Sequence, residues 1–150
     1  MTPPTTIRPA GVDDLPEILR LYALPEFDDG RLLSLADARR RFERLQQYPD
    51  YRIYVTEIGG RIMGTFAFLV MEKLNHLGKP AAIVDDVIEY AGVRGQGIGR
   101  RMMEHAMQLA REKGCYKLAL STNVKRAGAH RFYESLGFDR HGYSYIIDVD

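Results

Sequence analysis

Cysteine is almost missing from this sequence. Its 150 residues contain one, Cys115, which excludes an internal disulfide, and no Cys and His stand at metal-ligand spacing. A reducing cytoplasm is the expected compartment, with Cys115 a small buried residue. No window approaches the roughly 20 apolar residues of a membrane span, and Met1-Thr2-Pro3-Pro4 leads to no apolar core of a signal peptide. The expectation is a protein neither exported nor embedded. A charge excess is lacking too: 21 Lys and Arg against 20 Asp and Glu leave a net +1, no footing for a polyanion such as nucleic acid. Arg39, Arg40, Arg41 and Arg44 have no aromatic platform beside them and read as a solvated helix face. No repeat, low-complexity tract or linker divides the chain, so one domain over 1–150 is expected.

What the sequence does have is a clear succession of periodicities. Thr5 to Pro9 reads as a first strand, and Leu15, Ile18, Leu19 and Tyr22 recur at helical spacing behind Asp13 and Asp14. Pro25 to Gly30 break that helix, and Ser34 with Asp37 three residues on marks the start of a second over Leu35 to Gln47. Alternation from Arg52 to Ile58, the pair Gly59-Gly60 and a return over Arg61 to Val70 predict a β-hairpin. Ala81 to Tyr90 is a fourth strand. Ile98, Met102, Met103, Ala106, Leu109 and Ala110 give the next helix one apolar face, stopped by Gly114. A strand over Tyr116 to Ser121, a helix over Ala129 to Leu136 and a closing strand over Phe138 to Val149 complete an α/β or α+β layer structure with a mixed sheet.

Between the fourth strand and the long helix lies Arg94-Gly95-Gln96-Gly97-Ile98-Gly99. Glycines allow a sharp turn and close approach to a ligand, and free amides at a helix start suit a pyrophosphate. A Rossmann dinucleotide site is disfavoured, because the turn comes late, after antiparallel strands, and lacks the acidic residue that ends a following strand.

The element order, the glycine turn and Phe132-Tyr133-Glu134-Ser135-Leu136-Gly137-Phe138 together resemble the GNAT superfamily of acetyl-CoA-dependent N-acetyltransferases. The signature positions are Arg94, Gly97 and Gly99. Asp85-Asp86-Val87 to Gly99, then Gly114 to Lys117, looks most like glucosamine-6-phosphate N-acetyltransferases and small bacterial relatives. The resemblance implies a mixed central sheet flanked by about four helices, with acetyl-CoA as co-substrate and no metal. It implies that Arg94, Gly95, Gln96, Gly97, Ile98, Gly99 and Arg100 hold the pyrophosphate. The pantetheine arm then pairs along Val87, Ile88 and Glu89, and an amide of Ile88 or Glu89 serves the oxyanion. Asp85 and Asp86 stand where an acidic pair contacts a sugar in those enzymes.

The chemistry asks for two proton carriers. An amine must lose a proton before it attacks a thioester, and Asp86, Asp85 and Glu89 are the candidate bases. Strict strand alternation sends the adjacent Asp85 and Asp86 to opposite faces, so at most one is expected to act. A tyrosine hydroxyl can protonate the leaving thiolate, and Tyr133 matches the family position that does so. Asn123 is the candidate cofactor contact in the loop before it, since Arg126 stands where many relatives carry asparagine. His76 is a candidate for the acceptor pocket; Cys115 is not a nucleophile. The expected partner is a small-molecule amine, with no nucleic acid or membrane, and a homodimer through sheet edges. Alternatives are a non-catalytic CoA or acyl-CoA sensor and a peptide N-terminal acetyltransferase.

Overall fold

Residues 3–24, 31–122 and 125–150 are described in the computed structural model; Asn123 and the break expected over 25–30 lie outside them. The order is β1 Thr5–Pro9, a short 3-10 turn Val12–Asp14, α1 Leu15–Tyr22, α2 Leu35–Leu45, β2 Tyr51–Ile58 and β3 Arg61–Met71. Then come β4 Ala81–Glu89, α3 Ile98–Glu112, β5 Leu118–Ala119 and α4 Ala127–Ser135. The sheet runs β1-β2-β3-β4-β5, antiparallel except for the last, parallel pairing, so the expected mixed sheet is formed. The chain divides into two compact units, Met1–Ala119, which carries the whole sheet with α1 to α3, and Leu120–Asp150, which carries α4.

Local chemistry accounts for these elements. Gly59 and Gly60 take φ of 58° and 82°, the left-handed pair that turns β2 back along β3 without splaying the strands. Ser34 caps α2, its hydroxyl oxygen accepting from the Asp37 amide at 3.2 Å. One face of the sheet is covered by α1 and α2, whose Leu15, Ile18, Ala38 and Phe42 form a single buried cluster with Ile53, Val55 and Ala67. The other face is covered by α3, with Met102, Met103 and Ala106 fully buried. On that face Tyr54 stacks on Phe66 with ring centroids 5.1 Å apart, and His105 of α3 lies 5.7 Å from Tyr54. A Cβ on Gly64 would meet the Met102 sulfur at 3.0 Å, so a glycine there lets α3 close on β3.

Two departures from the sequence reading concern strands. β5 is confined to Leu118–Ala119, opposite Ala82 and Ile83, instead of running from Tyr116 to Ser121. The closing strand over 138–149 is not formed, and Tyr143, Tyr145, Ile147 and Val149 are exposed between 84% and 92%. Alternation gives a segment two faces, but a strand also needs a partner edge, which the local pattern does not supply.

A charged cluster ties β1 to β2 and to the turn before α1. The Arg8 guanidinium donates to both Asp14 carboxylate oxygens, at 2.7 and 2.9 Å, and to Glu57. Asp14 also accepts from the Gly11 amide at 2.7 Å. These bonds, Arg8 first, hold the Asp14 carboxyl below the usual carboxylate range. A depressed carboxylate pKa contributes stability that is present at neutral pH and lost as pH falls through the folded-state value. Asp14→Asn should therefore lower stability at pH 7 by about 1–3 kcal/mol, the cost of leaving a charged donor poorly met. Urea titrations should show the wild-type and variant midpoints converging as the pH is lowered toward 3. Parallel pH profiles would separate Asp14 from the acid sensitivity.

Candidate active site

The site builds from β4. Its inner edge pairs with β3, but β5 meets only Ala82 and Ile83 on the outer edge, so from Val84 to Glu89 that edge pairs with no strand among the described residues. Successive main-chain donors and acceptors are thus offered to an extended ligand, as in strand addition. Val87, Ile88 and Glu89 lie on this edge, Ile88 with its side chain buried toward the sheet interior.

β4 runs through a short 3-10 turn at Ala91–Val93 into the glycine turn. Gly95 and Gly97 have φ of 84° and 80°, which side chains disfavour, although nothing lies within 4 Å of where their Cβ atoms would stand. The glycines serve backbone shape rather than clearance. Gly97 is the N-cap of α3 and offers no side-chain oxygen, no acidic residue stands in the first turn, and Arg100 and Arg101 follow. Amides at this end, those of Ile98 and Arg100 among them, have no intrahelical acceptor by geometry, and the helix dipole adds positive potential. This arrangement fits a pyrophosphate. Gln96 reaches back through its amide to the Val93 carbonyl at 3.2 Å, closing the turn.

Glu89 points into that turn. The Arg94 charge and the Gly99 amide lower the pKa of its carboxyl, while burial, the larger effect, raises it. The residue read as a strand-edge base thus also serves as an anion at the helix start.

The acidic pair occupies an irregularity. Thr65 stands opposite Ile88 and Ala67 opposite Asp85, so Asp86 and Val87 together face the single residue Phe66. Asp86 takes φ of 51°, outside the strand region, and its amide is held by the Asp85 carboxylate at 3.0 Å. This β-bulge interrupts strict alternation at Asp86, the basis of the expectation that Asp85 and Asp86 point to opposite faces. Both carboxylates act on the same two phenols, Tyr22 at the end of α1 and Tyr51 at the start of β2. Burial first, then Asp86, pushes both hydroxyls above the usual tyrosine range, so they stay neutral donors. The Asp86 carboxyl is itself pushed up by burial and by Asp85. Tyr22 and Tyr51 are the residues the sequence reading missed: they are separated from the acidic pair in sequence, and their helical and strand periodicity marks them only as core.

The remaining candidates lie elsewhere. His76 precedes β4 in a turn where it takes φ of 51°, and its ring stacks on Tyr116 at 3.9 Å. Five residues of strand, roughly 16 Å at 3.3 Å each, separate Ala81 from Asp86, so His76 is not brought beside the acidic pair. Tyr133 is on α4, half-buried, with Phe138 edge-on at 5.9 Å and Phe132 at 5.2 Å. Cys115 is half-buried rather than buried, and its thiol is pushed up by desolvation. An open cleft of about 360 Å³ lined by Thr5, Ile7, Arg101, Glu104 and His105 contains none of the candidate residues. Among the described residues no cluster of His, Cys, Asp or Glu has the grouping of a metal site, and no helix is long and apolar enough to cross a membrane.

A bulged fourth strand with a free edge that feeds an amide-rich helix start is the arrangement to compare with known proteins. Residues 15–138 match the model of the Acetyltransferase (GNAT) family. The chain belongs to the GNAT family. Among relatives of this GNAT chain, the glucosamine 6-phosphate N-acetyltransferase of Trypanosoma brucei brucei is 28% identical over 129 residues, covering 86% of this chain and 82% of that protein. The Arabidopsis thaliana protein of the same name is 31% identical over 102 residues, 65% of this chain and 66% of its own length. Among solved structures, a putative acetyltransferase from Agrobacterium tumefaciens superimposes with a TM-score of 0.89 at 30% identity, covering 95% of this chain and 99% of that one. The GNAT fold and an acetyl-transferring class of enzyme are thereby established for this chain.

Proposed function

We propose that this GNAT domain, read as one unit over 1–150, transfers an acetyl group from acetyl-CoA to the primary amine of a small molecule, by direct attack in a ternary complex. The observation that carries the reading is the outer edge of β4, which beyond Ile83 pairs with no strand among the described residues and runs into the start of α3, where the N-cap Gly97 carries no side chain. The amides from Arg94 to Arg100 hold the pyrophosphate, with Glu89 yielding the Gly99 amide, and Val87, Ile88 and Glu89 offer their main chain to the pantetheine arm. Bound acetyl-CoA supplies a thioester, an acyl donor that a neutral amine can attack.

The chain's own residues then manage charge. Asp86, with a raised pKa, takes the proton that an ammonium must shed, and Asp85 keeps the acceptor's positive charge favoured on entry. Tyr22 and Tyr51, neutral donors beside the pair, hold the acceptor's polar groups. The main-chain amide of Ile88 or Glu89 meets the oxyanion, and the Tyr133 hydroxyl donates to the departing thiolate. The names of the relatives put glucosamine 6-phosphate first among the acceptors to test.

The test is release of free CoA across a panel of amines, glucosamine 6-phosphate included. One amine or more should sustain turnover, and Tyr133→Phe should lower kcat about 10²-fold, the low end of the range for a lost general acid, with CoA affinity unchanged. CoA binding without release on any amine would turn the reading into that of a sensor.

A further inference from the structure

We infer that the cleft between β1 and α3 is a second binding site of this chain, built for a small zwitterion: a free α-amino acid with a hydrogen-bonding side chain. Its lining residues, Thr5, Ile7, Arg101, Glu104 and His105, all belong to the compact unit Met1–Ala119 and enclose about 360 Å³. That volume lies at the lower end of the range for small-molecule pockets.

The cleft arises where the sheet extends past its cover. α3 packs on β3 and β4, burying Met102, Met103 and Ala106, while β1 is the edge strand beyond β2. Pro9 stands opposite Tyr54 in the register, so Thr5 and Ile7, at alternate positions, share the face that carries the Tyr54 ring. They form the floor. The wall is one flank of α3, where 101, 104 and 105 are neighbours at helical spacing.

The charges on that wall are held apart. Arg101 and Glu104 stand one turn from each other with opposite charge, yet Glu104 meets Arg100 at 3.6 Å, a loose exposed contact that contributes little. Arg101 makes no ion pair among the described residues. A ligand carboxylate at Arg101 and its ammonium at Glu104 satisfy both groups, whereas a singly charged ligand leaves one unmet. His105 lies against Tyr54 and Phe66, with ring centroids 5.7 and 6.5 Å away, and its ring nitrogens hold no hydrogen bond among the described residues. Burial pushes its pKa below the ordinary histidine value, so the ring is neutral at pH 7 and offers one donor and one acceptor. Together with the Thr5 hydroxyl it suits an amide or hydroxyl side chain.

This is a different place from the acidic pair. β1 and β4 are three strand spacings apart, roughly 14 Å at about 4.8 Å each. The start of α3 is nearer, the Arg101 amide donating to the Gly97 carbonyl at 3.1 Å, so binding is to be measured with and without CoA.

Nuclear magnetic resonance of the full chain reads the site through the Ile7 methyls and the His105 ring. L-Glutamine should shift both saturably, with a dissociation constant of about 1 mM, the weak range of an open site. Glutaramate, which lacks the ammonium, and γ-aminobutyramide, which lacks the carboxylate, should each bind about tenfold more weakly, as expected for one lost charged contact. Arg101→Gln should weaken glutamine about tenfold and leave γ-aminobutyramide unchanged, and Glu104→Gln should weaken glutamine equally and leave glutaramate unchanged. Both positions are exposed, so these variants should fold as the unaltered chain does. Absence of shifts at Ile7 and His105 up to the solubility of glutamine overturns the inference. So does equal binding of the three compounds, which would remove the zwitterion. Shifts that vanish when CoA is bound overturn it too, since the cleft would then be part of the cofactor site. None of these readouts depends on acetyl transfer.

Discussion

Replacing Asp86 by Asn should lower kcat/KM for the best amine roughly 10²- to 10⁴-fold, the range for loss of a general base. The same change should raise the melting temperature. Burial and the neighbouring Asp85 disfavour the ionised Asp86, so its charge costs stability at neutral pH, and a neutral amide removes that cost. Asn is also among the residues that tolerate positive φ, here 51°, so the bulge should persist. Activity and stability moving in opposite directions is an outcome that unfolding cannot produce. The pH profile adds a sign. A base must be ionised to act, so wild-type turnover should fall as pH drops through the Asp86 pKa, which lies above the ordinary carboxylate range. Asp85, Tyr22 and Tyr51 face the same site. The phenols ionise only at high pH, so a limb lost in Asp86→Asn and kept in Asp85→Asn belongs to Asp86. Unchanged kcat/KM in Asp86→Asn would remove this residue from the proton path.

Phe66→Ala should be the most damaging core change, costing about 3–5 kcal/mol and lowering the melting temperature by roughly 10 °C. Phe66 is fully buried, lies over Tyr54 and within 6.5 Å of His105, and is the one residue opposite Asp86 and Val87. Its ring therefore both fills the space under α3 and supports the bulge from the partner strand. Phe66→Leu keeps most of the volume and should cost less than half as much. Measured below its midpoint, Phe66→Ala should also show a raised KM for the amine, as the acidic pair loses its backing. A loss of stability below 1 kcal/mol would show that the surrounding side chains close the space unaided.

The sequence conveyed what periodicity and turn chemistry encode. The apolar face of α3, the Gly59-Gly60 hairpin and the Ser34 cap are local, and each stands where its residues place it. The glycine turn was equally legible, since positive φ at Gly95 and Gly97 is a demand the residue type announces. What depends on pairing was not. Strand alternation assigns Asp85 and Asp86 to opposite faces, and only the register against β3 reveals the extra residue that interrupts that alternation. Tyr22 and Tyr51 carry no local mark of a site. They acquire one by the packing that brings a helix end and a strand start near the carboxylates. Glu89 was recognisable as an acid at the end of β4, but not that the Gly99 amide acts on its carboxyl.

The bulge also gives β4 two phases. Before Asp86 the strand counts its faces in one parity, and after Val87 in the other, so Asp85 and Ile88 share a side although three positions separate them. A deletion of a single residue there would leave the half before the bulge in place and rotate the half after it by 180°. Ile88 would then turn toward α3 and Glu89 away from it. Grafting this acidic pair onto another sheet therefore requires carrying the surplus residue with it, because the frame shift sets where the carboxylates stand relative to the rest of the strand.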